Sequence, residues 1–417
     1  MSPLSPWLGL WANSIAAGRG ALDFVERVIS AGEIGKARAP DRRRDWASPN
    51  EVILELPTMR LRMFTAAASG PPAIVVAPYA LHGATTADFA HGHSVVEALL
   101  AGGVGRVLVT EWRSAGPEQG HIGIDACLAD LNVAVDEIGS PAAIAGLCHG
   151  GWLAAVYAAR FPAKVSRLAL AGAPLDVDAA PSVVRDLVRG TSPDAIREMI
   201  ALGDGVMPGQ VTQSTWPTPE PDPQEIARTL QLRTASPALA VRFLRWNDDI
   251  VDLPGAFYIE TSERIFRHNL LAAGAYPALG RTVGLGDIAC PVHLLAARGD
   301  TIVPPAQLLA LADRQTLRGK TTARIVDGSH LSLFMGRMTV RREWAWIAAF
   351  VAGATLGDAS PARRTKGARA CAKPGRAPAH QARNDQVQTL AASVASRLNS
   401  NPDEQEPLFE DGLKCPR

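Results

Sequence analysis

The sequence has few cysteines and almost no net charge, and both properties exclude classes of protein. Its five cysteines are scattered without a C-x-x-C pair or metal-ligand spacing, so we expect neither a disulfide framework nor a metal site. The formal net charge of +1 over 417 residues argues against a nucleic-acid-binding role. The sequence also lacks a phosphate loop and a dinucleotide fingerprint, so we expect no cofactor.

Long apolar runs are absent too. No run in the sequence approaches the roughly 20 residues that a membrane-spanning helix needs. The first residues lack the basic segment and uninterrupted apolar core that are typical of a secretory signal. These absences favour a cytoplasmic protein without a transmembrane segment.

One short stretch carries the clearest sign of chemistry. Residues 142–145 predict a buried strand, residues 152–161 predict a helix, and Gly146-Leu-Cys-His-Gly150 lies between them. Small residues at this spacing are typical of a nucleophile elbow, a sharp strand-to-helix turn that exposes its nucleophile, here Cys148. The N-terminus of the following helix would stabilise a thiolate. The five-residue pattern alone fits a structural cysteine equally well, but the flanking elements favour a nucleophile.

A thiol nucleophile needs a base, and the base needs an orienting acid. An aspartate and a histidine much later in the chain are suited to these two roles. Asp300 follows one predicted strand and His330 follows the next. Both therefore lie at the carboxyl edge of the predicted sheet, where such sheets place their sites. We predict a catalytic triad of Cys148, Asp300 and His330. Asp287 and Asp327 are alternative acids, for which a turn or surface role is favoured.

Two backbone N–H groups are expected to form an oxyanion hole. One belongs to His149, whose side chain we expect to point away from the nucleophile. The other belongs to Tyr79 or Ala80, in the loop 78–83 that follows a predicted strand.

Other side chains are candidates for substrate binding. His82 lies in the same loop as the oxyanion candidates, Trp112 ends a predicted strand, and Trp246 belongs to an inserted segment. Four aromatic residues of the insertion fit either a substrate tunnel or the insertion's own core, and as single residues we assign them to the core: Trp246, Phe257, Tyr258 and Phe266.

Strands alternate with helices along most of the chain, which predicts an α/β fold with a mostly parallel, doubly wound sheet. One of the predicted helices covers residues 88–100. A helix-rich insertion interrupts the alternation and is interpreted as a cap over the site. The predicted segments are an N-terminal helical extension and linker (1–50), the first core part (51–177), the helical cap (178–275), the second core part (276–352) and a disordered tail (353–417).

Several segments together resemble the polyhydroxyalkanoate synthases and intracellular polyhydroxyalkanoate depolymerases of the α/β-hydrolase superfamily. The matching segments are 76–82, 110–112, 146–151, 172–176, 246–255, 287–292, 299–304 and 328–330. The resemblance implies an α/β-hydrolase fold with a mainly helical cap. It also implies that Cys148 carries the acyl chain and that Asp300 and His330 activate it.

The match to the synthases is incomplete. They typically read Gly-His-Ile where this chain has Gly328-Ser-His330, and Asp-Trp where it has Glu111-Trp112. Residues 171–183 look more like the depolymerases. The direction of the reaction therefore stays open at this point.

Cysteine chemistry favours synthesis. An acyl group moves readily from CoA to a cysteine, because both species are thioesters of similar energy. Transfer of the acyl group from the cysteine to a hydroxyl then forms a more stable oxygen ester. We therefore predict a polyhydroxyalkanoate synthase-like acyltransferase that moves 3-hydroxyacyl groups from CoA to a growing polyester. The alternative within the fold is a depolymerase or another cysteine-dependent esterase or thioesterase. A non-catalytic granule-binding protein is the alternative of another class.

The expected partners follow from this prediction. They are hydroxyacyl-CoA or polyester as substrate. Whether the protein also binds a polymer granule surface or forms a homodimer stays open. The N-terminal extension is amphipathic, with Trp7, Trp11 and Ile15 four residues apart. It fits a helix that packs on the domain, or one that docks on a lipid or polymer inclusion.

Overall fold

The computed structural model describes residues 44–66, 69–214, 221–314 and 321–353. The predicted N-terminal helix and the tail beyond residue 353 lie outside the described residues. Within them, the strands are β1 Glu51–Glu55, β2 Met59–Thr65, β3 Pro72–Val76, β4 Asp88–Ala90, β5 His93–Ser94, β6 Arg106–Trp112, β7 Ala142–Leu147, β8 Val165–Ala171, β9 Val206–Met207, β10 Leu253–Pro254, β11 Tyr276–Ala278, β12 Arg281–Val283, β13 Val292–Ala297 and β14 Thr321–Val326.

Helices connect these strands and cover the sheet. The α-helices are α1 Val95–Ala101, α2 Ile124–Ile138, α3 His149–Arg160, α4 Val183–Gly190, α5 Pro193–Leu202, α6 Gly209–Ser214, α7 Pro223–Thr229, α8 Pro237–Asn247, α9 Gly255–Thr261, α10 Leu270–Ala273, α11 Pro305–Arg314, α12 Ser332–Met335, α13 Arg337–Thr339 and α14 Ala345–Val351. Two π-helical turns follow α9 and α13, at Ser262–Arg267 and Val340–Trp344. No helix among the described residues is long and apolar enough to cross a membrane.

Eight strands form the central sheet, in the order β1-β2-β6-β3-β7-β8-β13-β14. Strand β2 is antiparallel to both of its neighbours, and the other neighbouring pairs are parallel. This arrangement confirms the predicted α/β fold with a mostly parallel sheet. Because parallel strands have the same direction, the loops after β3, β7, β13 and β14 emerge at one edge of the sheet, which is where the candidate site residues lie.

Apolar side chains are buried on both faces of the sheet. Within β3, Ile74 and Val76 belong to one hydrophobic core, whereas Ala73 and Val75 belong to the other. Helices α2 and α3 cover the first face, and helices α1 and α14 cover the second. The alternation of successive side chains explains why a parallel strand buried on both faces is apolar throughout.

The predicted helix over residues 88–100 is wrong in its first half. Residues 88–94 form the short antiparallel pair β4–β5, and helix α1 begins only at Val95. Gly92 has a φ of +74°, which permits the tight turn between the two strands. The hydroxyl of Ser94 then accepts a hydrogen bond from the N–H of Glu97 and caps the helix.

Candidate active site

Cys148 occupies the turn between β7 and α3. Its backbone has a φ of +48° and a ψ of −120°, which a residue with a Cβ atom rarely adopts. The N–H of Cys148 donates a hydrogen bond to the carbonyl of Ala171 at 2.9 Å, and the N–H of Gly151 donates to the carbonyl of Cys148 at 2.8 Å. The turn therefore has the strained strand-to-helix geometry of a nucleophile elbow.

The glycines after Cys148 allow this turn to lie close to the sheet. A Cβ atom at Gly150 would lie 2.1 Å from the carbonyl oxygen of Val76 in β3. A Cβ atom at Gly151 would lie 2.4 Å from the Cβ atom of Ala173. Both distances are shorter than any van der Waals contact, so larger residues at either position would push α3 away from the sheet.

Asp300 and His330 lie next to each other at the same edge, since they follow the parallel neighbours β13 and β14. Nδ1 of His330 is 2.7 Å from Oδ2 of Asp300. The other carboxylate oxygen of Asp300 accepts hydrogen bonds from the N–H of Ile302 at 2.9 Å and the N–H of Val303 at 2.8 Å. These three partners fix the orientation of the carboxylate, which in turn fixes the imidazole.

His330 also forms a side-chain hydrogen bond with Cys148. Burial, the largest single influence, lowers the pKa of His330, but the negative charges of Asp300 and Cys148 and their hydrogen bonds together raise that pKa well above its ordinary value. The environment therefore favours the imidazolium form of His330. The structure brings Cys148, Asp300 and His330 into one hydrogen-bonded chain.

The alternative acids contact other groups. Asp287 accepts a hydrogen bond from the N–H of Gly284 at 2.8 Å, within a turn. Asp327 forms an exposed ion pair with Arg298 at 3.1 Å. Neither carboxylate is the one that holds His330, so the structure distinguishes Asp300 from both.

The loop 78–83 is anchored to the sheet at its first residues. The hydroxyl of Tyr79 donates a hydrogen bond to the carbonyl of Arg113 at 2.8 Å, and its ring stacks on Trp112 at 5.3 Å. The indole N–H of Trp112 donates to the carbonyl of Ala77 at 2.8 Å. These contacts fix the backbone of Tyr79 and Ala80, which carries the predicted oxyanion N–H group.

The far end of the same loop is attached to the inserted segment. The N–H of Gly83 donates to the carbonyl of Asp249 at 3.1 Å, and the N–H of Val251 donates to the carbonyl of Leu81 at 2.9 Å. The ring of His82 stacks on Trp246 at 4.1 Å. Burial lowers the pKa of His82 to about 3, so this ring is neutral at pH 7.

A buried ion-pair cluster strengthens this attachment. The guanidinium of Arg44 pairs with Asp249 at 2.9 Å and with Glu111 at 3.1 Å, and Glu111 pairs in addition with Arg62. Glu111 is almost fully buried. Because Glu111 lies on β6 and Asp249 lies in the insertion, Arg44 connects the central sheet to the insertion.

A mainly apolar cavity, called the cap cavity below, lies between the loop 78–83, the start of α3 and the insertion. Its empty volume is about 730 Å³, including the part open to solvent. It is lined by Tyr79, Ala80, Leu81, His149, Val183, Val184, Leu187, Val188, Thr212, Leu253, Phe257, Tyr258, Thr261, Ser262 and Phe266. Both candidate oxyanion segments thus border a mainly apolar space.

The predicted substrate-binding residues differ in their relation to this cavity. Phe257 and Phe266 are buried members of the hydrophobic core and Tyr258 packs against it, which agrees with the core assignment, and all three also line the cap cavity. His82, Trp112 and Trp246 are buried and are not among the residues that line the cap cavity. Trp112 and Trp246 stack on residues of the loop 78–83, to which His82 belongs. Direct contact of these three side chains with substrate stays a prediction.

Sequence reasoning assigned His149 a role through its backbone only. In the structure His149 is among the residues that line the cap cavity, and its ring lies 5.6 Å from the ring of Phe266. That its side chain points away from the nucleophile stays a prediction. Helix α4 was missed as a wall of the cavity. Its apolar residues recur as pairs one turn apart, at 183–184 and 187–188, and this pattern was a usable signal of an apolar face.

Within residues 44–353, apart from the three internal gaps, no group of three or more His, Cys, Asp or Glu side chains is arranged to hold a metal ion.

Comparisons with known proteins agree with this architecture. A family model described as alpha/beta hydrolase fold matches residues 91–336. The chain is 26% identical over 330 residues to the poly(3-hydroxyalkanoate) polymerase subunit PhaC of Synechocystis sp., covering 75% of this chain and 87% of that protein. It is 23% identical over 328 residues to the subunit of the same name from Haloferax mediterranei, covering 72% of this chain and 64% of that protein. Among solved structures, a hydrolase from Pseudomonas aeruginosa PA01 matches with a TM-score of 0.47 and 17% identity, over 74% of this chain and 100% of that one.

Proposed function

The chain belongs to the alpha/beta hydrolase fold family, and on this premise we propose that it is a polyhydroxyalkanoate synthase-like acyltransferase. It transfers 3-hydroxyacyl groups from CoA thioesters to a growing polyester through a covalent thioester on Cys148. The observation that carries the proposal is the hydrogen-bonded chain from Cys148 through His330 to Asp300, beside an apolar cavity. The similarity to two PhaC subunits supports the choice of substrate class.

In the first half-reaction, the thiolate of Cys148 attacks the carbonyl carbon of the hydroxyacyl-CoA thioester. A new carbon–sulfur bond forms to Cys148, and the carbon–sulfur bond to CoA breaks. The leaving CoA thiolate takes a proton from the His330 imidazolium. The N–H groups of His149 and of Tyr79 or Ala80 stabilise the oxyanion of the tetrahedral intermediate.

In the second half-reaction, the hydroxyl at the end of the polyester attacks the acyl group on Cys148. His330, now neutral, accepts the proton of that hydroxyl, and the Cys148 thiolate leaves. Asp300 stabilises the imidazolium that forms and keeps Nε2 directed at the reacting atoms. Exchange of a thioester for an oxygen ester makes this step favourable.

The apolar lining of the cap cavity suits an acyl chain of moderate length, since burial of its methylene groups is favourable. Polymer synthesis also requires a place where the growing chain collects. We therefore propose that the protein works at the surface of a polyester granule in the cytoplasm.

The first test is release of CoA from 3-hydroxybutyryl-CoA by the purified protein, with the product separated into polymer and free acid. We expect CoA release together with growing polyester. Cys148→Ala should lower the rate at least about a thousandfold, because it removes the nucleophile. The matched control is Cys290→Ala, since Cys290 is a buried thiol whose pKa burial raises to about 11. It should retain most of the activity.

Other products would assign a different function. CoA release with only monomeric acid indicates a thioesterase-type hydrolase. Absence of CoA release, combined with release of soluble acid from amorphous polyester granules, indicates a depolymerase. If the wild-type protein catalyses neither reaction, the non-catalytic granule-binding protein is the remaining function.

A further inference from the structure

Two polar atoms in the wall of the apolar cap cavity lack a hydrogen-bond partner within the part of the chain that the structure describes. Nδ1 of His149 and Oγ1 of Thr261 are both buried, and neither forms a hydrogen bond with any described residue. Both residues line the cap cavity, His149 from the start of α3 and Thr261 from the end of α9. Folded proteins satisfy nearly all of their buried polar groups, so two such atoms on one cavity need an explanation.

The hydroxyl of Thr261 is unusual for its place in the chain. A threonine in a helix commonly turns its hydroxyl back to the carbonyl one turn earlier. Here α9 ends at Thr261 and continues as the π-helical turn Ser262–Arg267, and the hydroxyl has no such partner. Single π-helical turns occur frequently at functional sites, where they redirect a side chain.

His149 is suited to bind a neutral polar group. Burial and, to a smaller extent, the positive charge of the nearby His330 lower its pKa to about 4. The ring is therefore neutral at pH 7 and offers one N–H donor and one bare nitrogen acceptor. Its position directly after Cys148 places it next to any acyl group bonded to that sulfur.

We propose that His149 and Thr261 bind the 3-hydroxyl of the acyl group and make the site selective for hydroxyacyl over plain acyl substrates. The inference rests on the proposed function, since it concerns the acyl group on Cys148. A hydroxyl is both donor and acceptor, so it satisfies the imidazole nitrogen and the threonine oxygen together. A methylene at the same carbon satisfies neither, and both atoms then stay buried without partners.

The test compares p-nitrophenyl 3-hydroxybutyrate with p-nitrophenyl butyrate in a single turnover. Cys148 attacks the ester carbonyl, a carbon–sulfur bond forms, and p-nitrophenolate leaves and is measured directly. We expect the hydroxy ester to acylate the wild-type protein about tenfold faster. Thr261→Val should reduce this ratio about threefold to fivefold, as loss of one hydrogen bond does, whereas Thr261→Ser should preserve it.

His149→Phe should reduce the same ratio, and His149→Gln should restore part of it. Each ratio compares two esters on one variant, so any rate loss common to both esters cancels. A wild-type ratio near one, or a ratio that Thr261→Val leaves unchanged, would overturn the inference. These esters contain no CoA, so an outcome against hydroxyl recognition is distinguishable from failure of CoA release in the first test.

Discussion

Cys148 combines a strained backbone with a charged environment. A positive φ at a residue with a Cβ atom costs free energy, and it persists only where the surrounding structure enforces it. The hydrogen bonds to Ala171 and from Gly151 supply that enforcement. This backbone conformation places the sulfur at the carboxyl edge of the sheet, where it forms a hydrogen bond with His330.

The charge of Asp300 is expected to matter more than its shape. Asp300→Asn keeps an oxygen that accepts from the N–H groups of Ile302 and Val303. It loses the negative charge that raises the pKa of His330, and it offers an N–H where the imidazole needs an acceptor. We expect the rate of CoA release to fall about a hundredfold or more.

The control for this change is Asp327→Asn. Asp327 follows the neighbouring strand β14 but forms an exposed ion pair with Arg298. Its rate should stay within about twofold of wild type, because exposed ion pairs contribute little. Equal rates for the two variants would show that Asp300 does not act on the imidazole through its charge.

At the scale of elements, the unit formed by β7 and α3 depends on close backbone approach. Helix α3 begins immediately after Cys148, and its first residues lie against β3 and the segment after β8. Gly150 and Gly151 provide the space for this contact. The same approach brings the N-terminus of α3, with the N–H group of His149 that we propose for the oxyanion hole, to the site.

Gly150→Ala should therefore destabilise the protein. Its Cβ atom would lie 2.1 Å from the carbonyl oxygen of Val76, and neither backbone segment is free to move away. We expect the free energy of unfolding in urea to fall by about 2–3 kcal/mol. The acylation rate should fall as well, since displacement of α3 separates Cys148 from His330.

Gly190→Ala is the matched control for this substitution. Gly190 ends α4, and a Cβ atom there would meet nothing within 4 Å. Its free energy of unfolding should change by less than about 0.5 kcal/mol. A loss for Gly190→Ala as large as that for Gly150→Ala would point to a general effect of the substitution rather than to the steric contact with β3.

At the scale of the whole molecule, several histidines are buried in neutral form on different elements. The pKa values of His82 and His293 are lowered to about 3, and that of His149 to about 4, in each case mainly by burial. The unfolded chain binds protons at these residues near pH 6.5, whereas the folded protein does not. These histidines therefore contribute their full share to the free energy of unfolding above pH 6.5. That contribution is lost as the pH falls towards 3.

His293→Gln should make the protein less sensitive to acid. His293 is fully buried in β13, and Nδ1 lies 2.9 Å from the hydroxyl of Thr322. Between pH 7 and pH 5, the wild-type protein should lose about 2 kcal/mol more unfolding free energy than the variant, measured by urea unfolding at both values. His91→Gln, at an exposed histidine, should show the wild-type dependence. The same dependence in His293→Gln would contradict the expectation.

The α/β fold and most strands of the sheet are predictable from the sequence, and so is the choice of a candidate nucleophile, acid and histidine. These features depend on local patterns: apolar runs, small residues around Cys148, and polar residues directly after strands. Among these local predictions, the start of the helix over residues 88–100 was wrong. The turn at Gly92 and the N-cap at Ser94 delay the helix to Val95, although the preceding residues fit a helical pattern.

Which side chains line the cap cavity depends on the tertiary structure. His149, Val184 and Thr261 belong to segments far apart in sequence, and no periodicity within one segment shows that they share a wall. The same holds for the connection of Arg44 to Glu111 and Asp249, whose partners lie 67 and 205 residues away. The physical reason is that a local pattern shows which face of an element is buried, whereas the contents of a cavity depend on how distant elements pack together.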